Sequence, residues 1–554
     1  MKVLDDFVSY FIIDSHDVSV ILADCNRNID QINSGQYAYR ENELIVEIFG
    51  SIALSVRKNI DFQKLLIDFF EFFESFLGTS NEEITIVLEN YYVDRVYRDS
   101  YYNFFSNKHL EFERNSKRIT FFQGDVSTDI FQNNGNLQDA LIGNAVIRPI
   151  FPGTIGRTII APEKFKHNKA YIRTAKFSQT LLGHKLILNG FPFSSQDAET
   201  MSCAENTILN LMEYFGTRYG YYHILSPSDI TNALSLISEQ RVLPSLGMSY
   251  EQMSAILKQI GFAPIIYYRK DFEGKEFRRI FHYYIESGFP LPVAVKYEYE
   301  ENKKSIKESH SIISIGHSEF GGNIKEICSY AEEYSEGLSL VNTADLNQEY
   351  IFMDDNLMPY QFKKFEQPVT YSKVTKSEIT GFVVPLYKRV FLEARSAYNV
   401  VQSLIIEIRD LINLEDIVDL NGQKYDSEKN PILIRMFLTT SRNYKEFKAL
   451  YEENSINKII QTIPMPKFVW VGEYMLASQY LEKERMAFGE VIIDSTISKY
   501  MREEGVLYAR FPHHIGYKLP MEQSEAFFDR LEDKIDINSI EIPTEFVLFK
   551  NNLL

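Results

Sequence analysis

Cysteine is scarce in this chain: Cys25, Cys203 and Cys328 are the three among 554 residues. Their odd number and the absence of a CxxC pair argue against a disulfide framework and a zinc knuckle. Long apolar runs are missing as well. No window approaches the ~18 apolar residues of a membrane span, so no span is expected. The start, MKVLDDFVSYFIIDSHD, has acids at 5, 6 and 14 and does not read as a signal peptide. Positive charge is short, with 58 Lys plus Arg against 76 Asp plus Glu and a net charge of −18. A phosphate backbone needs a basic face, and no Lys/Arg cluster offers one, so nucleic acid is not an expected partner. The expected location is cytoplasmic and reducing. No cofactor or metal is expected either. GTIGR (153–157) lacks the Gly-Lys-Ser/Thr ending of a phosphate loop, and His513 and His514 have no acidic or Cys partner placed by the sequence.

What is present describes a folded, multidomain chain. Apolar residues make up 45% and charged residues 24%, with 41 Phe and 35 Tyr against one Trp, a composition that excludes disorder. The length implies about three domains. Residues 1–178 read as mixed α/β, a candidate for substrate or partner recognition. In it, ELIVEIFG (43–50) and EITIVLENYYV (83–93) look like strands, residues 61–77 and 90–106 like helices, and 146–162 like two strands around a turn. Residues 366–554 read as a second mixed α/β domain with a regulatory or binding role. It has a helix within 386–411, strands at ILIRMFLTT, KFVWVGEY and GEVIIDST, and a polar loop at 419–431. The chemistry falls in the central segment, 179–365.

There, SSQDAETMSCAENTILN (194–210) puts Cys203 before a helical stripe at 204, 208, 209, 211, 212 and 215. Ser202 is the candidate N-cap, so Cys203 falls in the first turn. Unpaired backbone N–H groups and the helix dipole favour a thiolate there, and Glu205 opposes it. A nucleophilic thiol also needs a base and donors for the oxyanion. Gln196 can offer its amide beside the backbone N–H of Cys203. In GFPLPVAVKYEYEENKKSIKESHSIISIGHSEF (288–320), which reads as strand, polar loop, strand, His310 opens the second strand and is the candidate base. His317 is the reserve. Asp354 and Asp355 end the strand-like run in EYIFMDDNLMPYQ, either one able to orient the imidazole. Cys25, ending the strand-like ILADC, and Cys328 read as structural thiols.

The order Gln, Cys at a helix start, His on a strand and Asp closing a later strand resembles papain-like cysteine peptidases. It is closest in style to the bacterial bacteriocin-processing, C39-like group. PFSSQDAETMSCAENTIL, LGMSYEQMSAILKQIGF, YIESGFPLPVAV, SHSIISIGHS and IFMDD carry the resemblance, over about residues 179–365. It implies an α+β fold in which a Cys-bearing helix packs on an antiparallel sheet. By position it makes Cys203 the nucleophile, His310 the general base, Asp354 (or Asp355) the orienting acid and Gln196 the oxyanion-hole residue. The Gln-to-Cys separation, 203 − 196 = 7, is one residue longer than the family pattern. The His-to-Asp separation, 354 − 310 = 44, makes SEFGGNIKEICSYAEEYSEGLSLVNTADLNQEY an insertion emerging from the sheet. The implied function is a cysteine peptidase or isopeptidase acting on a protein or peptide through a Cys203 thioester. A thiol acyltransferase or deamidase, and an inactive papain-like binding scaffold, remain open alternatives, as does the oligomeric state.

Overall fold

The computed structural model describes every residue except 1, 4–6, 36–39, 75–82, 132–136, 166–168, 302–303, 336, 415–416, 420, 453, 518–543, 551 and 554. It is a mixed α+β structure with several antiparallel sheets, and the chain divides into two compact units. The first comprises residues 1–261, 292–315 and 350–383. The second comprises 262–291, 316–349 and 384–554. No helix among the described residues is long and apolar enough to cross a membrane.

The first unit begins with a six-stranded antiparallel sheet laid out in chain order: Lys2–Val3, Val8–Ile13, Ile84–Tyr92, Ser116–Gln123, Leu141–Ile147 and Ile155–Ile160. The helices Ser15–Asn33 and Ile60–Glu74 pack on each other. Phe62, Leu66, Phe69, Phe70 and Phe73 form the buried stripe of the latter, and the Phe73 ring meets Phe121 of the sheet at 4.8 Å between centroids. GTIGR turns into the strand Ile155–Ile160, which is followed by the single 3-10 turn Pro162–Lys164. Two expected strands are helices instead. ELIVEIFG forms the helix Glu43–Phe49, capped by the Asn42 side chain on Leu44 N–H. Its burial at Ile45, Ile48 and Phe49 has the three-to-four spacing of a helix, not alternation. Likewise ILADC lies inside Ser15–Asn33, opened by a capping box between Asp14 and Asp17. Cys25 is buried there, and desolvation with the charge of Asp24 pushes its thiol up to about 12. The helix within residues 90–106 is Arg95–Asn103, and its first residues instead end the strand Ile84–Tyr92.

The second sheet of this unit has Val374–Val384, Leu291–Glu301, Lys304–Ser318, Tyr350–Met353 and Gln361–Lys363 as neighbours in that order, with Ala170–Ile172 on Lys304–Ser318. Residues 304–309 are a largely exposed extension of the strand, and burial becomes continuous at His310. His310 therefore lies within a long strand where the sequence suggested its beginning. A hairpin, Ala175–Leu181 with His184–Gly190, turns through Leu182 and Gly183, both at positive φ as a two-residue turn of this hand requires.

In the second unit the sheet runs Glu332–Ser335, Leu338–Asn342, Ile432–Thr440, Phe468–Leu476, Gly489–Asp494, Val506–Phe511, His514–Tyr517. All neighbours are antiparallel except Leu338–Asn342 with Ile432–Thr440. The segment between His310 and Asp354 thus does more than emerge from a sheet, since Leu338–Asn342 supplies a strand to another one. Its Phe320, Ile327, Val341 and Leu346 share a core with Leu433, Met475 and Tyr480. Cys328 is half-buried on the helix Ile324–Ser329. The helix Ala394–Ile408 accounts for the stretch read as helical within 386–411, Ser441–Tyr451 is a further helix, and His513 and His514 lie at the turn of the last hairpin.

One glycine fixes the approach to the Cys203 helix. Gly153 has φ +86°, and a Cβ there would lie 2.8 Å from both Asp197 Cα and Gln196 O. We expect Gly153→Ala to cost ~2 kcal/mol or more, from strain at positive φ plus overpacking against the 196–197 backbone. Urea denaturation of the full chain measures it.

Candidate active site

The residues singled out in the sequence come together inside the first unit. Cys203 is the first residue of the helix Cys203–Arg218, with Ser202 in extended conformation at the N-cap. The Ser202 side chain does not cap the helix. Its Oγ donates to the Glu205 carboxylate, which also accepts from Ser245 Oγ at 2.7 Å. Glu205 is buried, so both bonds answer its need for partners. The helix is buried on nearly all sides from Ala204 to Phe215, and Thr207 Oγ1 meets Ser311 Oγ of the His310 strand at 3.1 Å. That contact pins helix to strand four residues beyond Cys203 and one beyond His310.

The loop before the helix is organised by Asp197. Its Oδ1 accepts the N–H groups of Glu199, Thr200 and Met201 at 2.9, 2.7 and 3.0 Å, an arrangement that bends the chain into the helix start. Arg148, wholly buried, donates to Ser195 O at 2.6 Å and holds the loop from the other side. Burial lowers the Arg148 guanidinium, with Asp197, Asp94 and Asp355 acting in opposition.

His310 is 5% exposed, a burial that decides its chemistry because an imidazolium there must be paired. Its Nε2–H donates to Asp354 Oδ1 at 2.9 Å, and Asp355 Oδ1 lies 3.2 Å from the same nitrogen. Burial alone would lower its pKa. The charge of Asp354 and the hydrogen bond to it, with the neighbouring Asp355 and Cys203 side chains, reverse that and hold it well above the ordinary 6.5. The carboxyl of Asp354 moves the opposite way. Desolvation raises it, but His310, the Tyr371 hydroxyl at 2.8 Å and the Asn356 N–H at 3.1 Å bring it below its ordinary value. Asp355 faces the helix, accepting at Oδ2 from Asn206 Nδ2 at 3.0 Å.

Gln196 belongs to this cluster, although its Nε2 donates to Asn356 Oδ1 at 2.9 Å. One amide N–H is thereby engaged and a second is left. His317 is not at the site. It lies in the second unit, its Nε2 2.7 Å from Glu286 Oε2. Four participants were not found from sequence: Asn206, Asn356, Tyr371 and Arg148. Only Asn206 carried a signal, since a residue three after Cys203 shares its helix face. The group His310, Asp354 and Asp355 also has metal-ligating atoms within 4.8 Å of one another, the one such group among the described residues. Hydrogen bonds pair His310 Nε2 with Asp354 Oδ1 and Asp355 Oδ2 with Asn206 Nδ2, and leave Asp355 Oδ1 without one.

A scan against protein-family models and a search of curated proteins both gave no match.

The two shifts fix a pH window. A raised His310 contributes stability that is fully present below about 6.5 and fades as pH climbs to its folded value. A depressed Asp354 contributes above about 3.8 and fades as pH falls. Asp354→Asn should therefore cost most between these values, ~3 kcal/mol as for breaking a buried pair. The gap to wild type should narrow on the alkaline side. Urea midpoints from pH 4 to 10 test this, and a pH-independent gap contradicts it.

Proposed function

We propose that this chain is a papain-like cysteine hydrolase that cleaves an amide or isopeptide bond of a protein or peptide. The observation that carries the reading is one arrangement: Cys203 opens a helix that Thr207 Oγ1 ties to Ser311 of the His310 strand at 3.1 Å, and the His310 Nε2–H goes to Asp354 at 2.9 Å. In this mechanism the imidazole takes the thiol proton and the sulfur attacks the carbonyl carbon. The backbone N–H of Cys203 and the remaining N–H of Gln196 receive the oxyanion. On collapse the C–N bond breaks, the amine leaves with the proton from His310, and a thioester stays on Cys203. Water, deprotonated by His310, then releases the acid and restores the thiol. An amine or thiol in place of that water turns the same steps into acyl transfer, so the acceptor is set by access and not by the triad. A role for the remainder of the chain in substrate recognition accords with the site occupying so few residues.

Iodoacetamide alkylation, resolved by peptide mass, separates this from a retained but inert fold. Paired with an imidazolium, Cys203 should react at pH 6 about 10- to 100-fold faster than an ordinary thiol of pKa ~8.5. His310→Ala should return it to the ordinary rate, with Cys328 as internal reference. Equal, ordinary rates in both proteins would sink the reading. Cys203→Ala should retain substrate from a lysate that wild type releases.

A further inference from the structure

Asp354 and Asp355 looked like alternatives for one role, but they hold different partners. Asp354 is tied away from the helix, to the Tyr371 hydroxyl and to the N–H of Asn356 within its own turn. Asp355 is tied to the nucleophile's helix. Its Oδ2 accepts from Asn206 Nδ2, and Asn206 is otherwise consumed by Ser194: Nδ2 also donates to Ser194 O at 2.5 Å, and Oδ1 accepts from Ser194 Oγ at 2.6 Å. Asn206 is 2% exposed, so this amide has no water to exchange with, and its orientation is dictated by Ser194. The other oxygen of Asp355, buried and without a hydrogen-bond partner, stands 3.2 Å from His310 Nε2 as a charge contact.

We propose that Asp355 is a positioning residue that couples His310 to the Cys203 helix, holding the imidazole at the nucleophile while Asp354 serves as its primary acceptor. The inference rests on the Cys–His reading of the site but concerns a group outside the usual three. It follows from what a carboxylate can do and an amide cannot. Asp355 accepts from Asn206 at Oδ2 and sets its second oxygen, as negative charge, 3.2 Å from the imidazole nitrogen. An asparagine there has one accepting oxygen, so it can serve the helix or the histidine, never both. Because Asn206 lies three residues after Cys203, the bond from Asp355 lands on the face of the helix that carries the thiol.

The charged and titratable groups around His310 are few. They are Cys203 from the helix, Asp354 and Asp355 from the turn, Tyr371 with its ring 6.5 Å away, and Tyr297 from the neighbouring strand. Arg148 faces Asp355 from the first sheet. The test is the titration of His310 in the full chain, by NMR of ring-13C histidine, with the signal assigned by its loss in His310→Gln. In Asp355→Asn the midpoint should fall by about one pH unit, while Asp354 is intact. Asp355→Glu should recover part of the shift, which a purely structural role would not allow. Iodoacetamide alkylation of Cys203 at pH 6 should slow in Asp355→Asn by about tenfold and recover partly in the Glu variant. An unchanged His310 midpoint in a folded Asp355→Asn, as judged by its urea midpoint, overturns the proposal. If Asp355→Asn does not fold, an unchanged midpoint in Asn206→Ser does so instead. Because the NMR readout does not involve the thiol, the coupling is judged even if Cys203 of wild type proves unreactive, the outcome that sinks the hydrolase reading.

Discussion

The arrangement around Cys203 depends on one proton, the one His310 Nε2 holds toward two buried carboxylates. Removing an imidazolium and a carboxylate from water costs several kcal/mol per ion, and their attraction repays this only when the remaining valences are also filled. The neighbouring residues meet that condition. Tyr371 and the Asn356 N–H complete Asp354, Asn206 completes one side of Asp355, and Arg148 balances the excess negative charge. Each of those groups is anchored in turn: Asn206 by Ser194, Arg148 by the carbonyls of Ser195 and Ile155. The polar network and the backbone around Cys203 are therefore one object. A change in the loop at 194–201 reaches the imidazole through Asn206, without touching His310 itself.

Much of the site was legible from residue type and order alone. A thiol at a helix start, a histidine where a polar stretch becomes apolar, and acids closing a strand are local signals, and each falls where local signals are reliable. The Cys203 helix, read from its apolar spacing, runs from Cys203 to Arg218. Elements with ambiguous patterns were misread. ELIVEIFG has the composition of a strand, yet only its burial at three-to-four spacing, invisible in seven residues of mostly apolar sequence, makes it a helix. ILADC looked like a strand because its apolar residues are adjacent, while the Asp14–Asp17 capping box, which opens the helix ahead of Ile21, is a short-range polar signal that uses Asp in place of Glu.

Long-range pairing was not legible. Residues 319–349 look like a solvent-facing insertion because they are polar and glycine-containing, but LSLVN within them is five buried residues in a row. A run of that kind is what a strand covered on both faces needs. Its partner Ile432–Thr440 lies about ninety residues on, and nothing local in either segment names the other. The same holds for Arg148, whose bond to Ser195 spans 47 residues.

The two aspartates show the limit most clearly. In an extended strand successive side chains point to opposite faces, so a reader who places both on a strand must choose one, and the choice depends on a register that sequence does not provide. The strand ends at Met353, however, and residues 354–357 form a turn closed by Leu357 N–H on Asp354 O at 3.0 Å. The Asp354 side chain accepts the N–H two residues on, the hydrogen bond that aspartate characteristically makes at the start of a turn. Inside a turn the alternation no longer applies, and neighbouring side chains can converge on one atom. What looked like a choice between two acids was a consequence of treating the end of a strand as its interior. The adjacent pair is the local structure's answer to a buried imidazole that must be tied both to its own sheet and to the helix carrying the thiol.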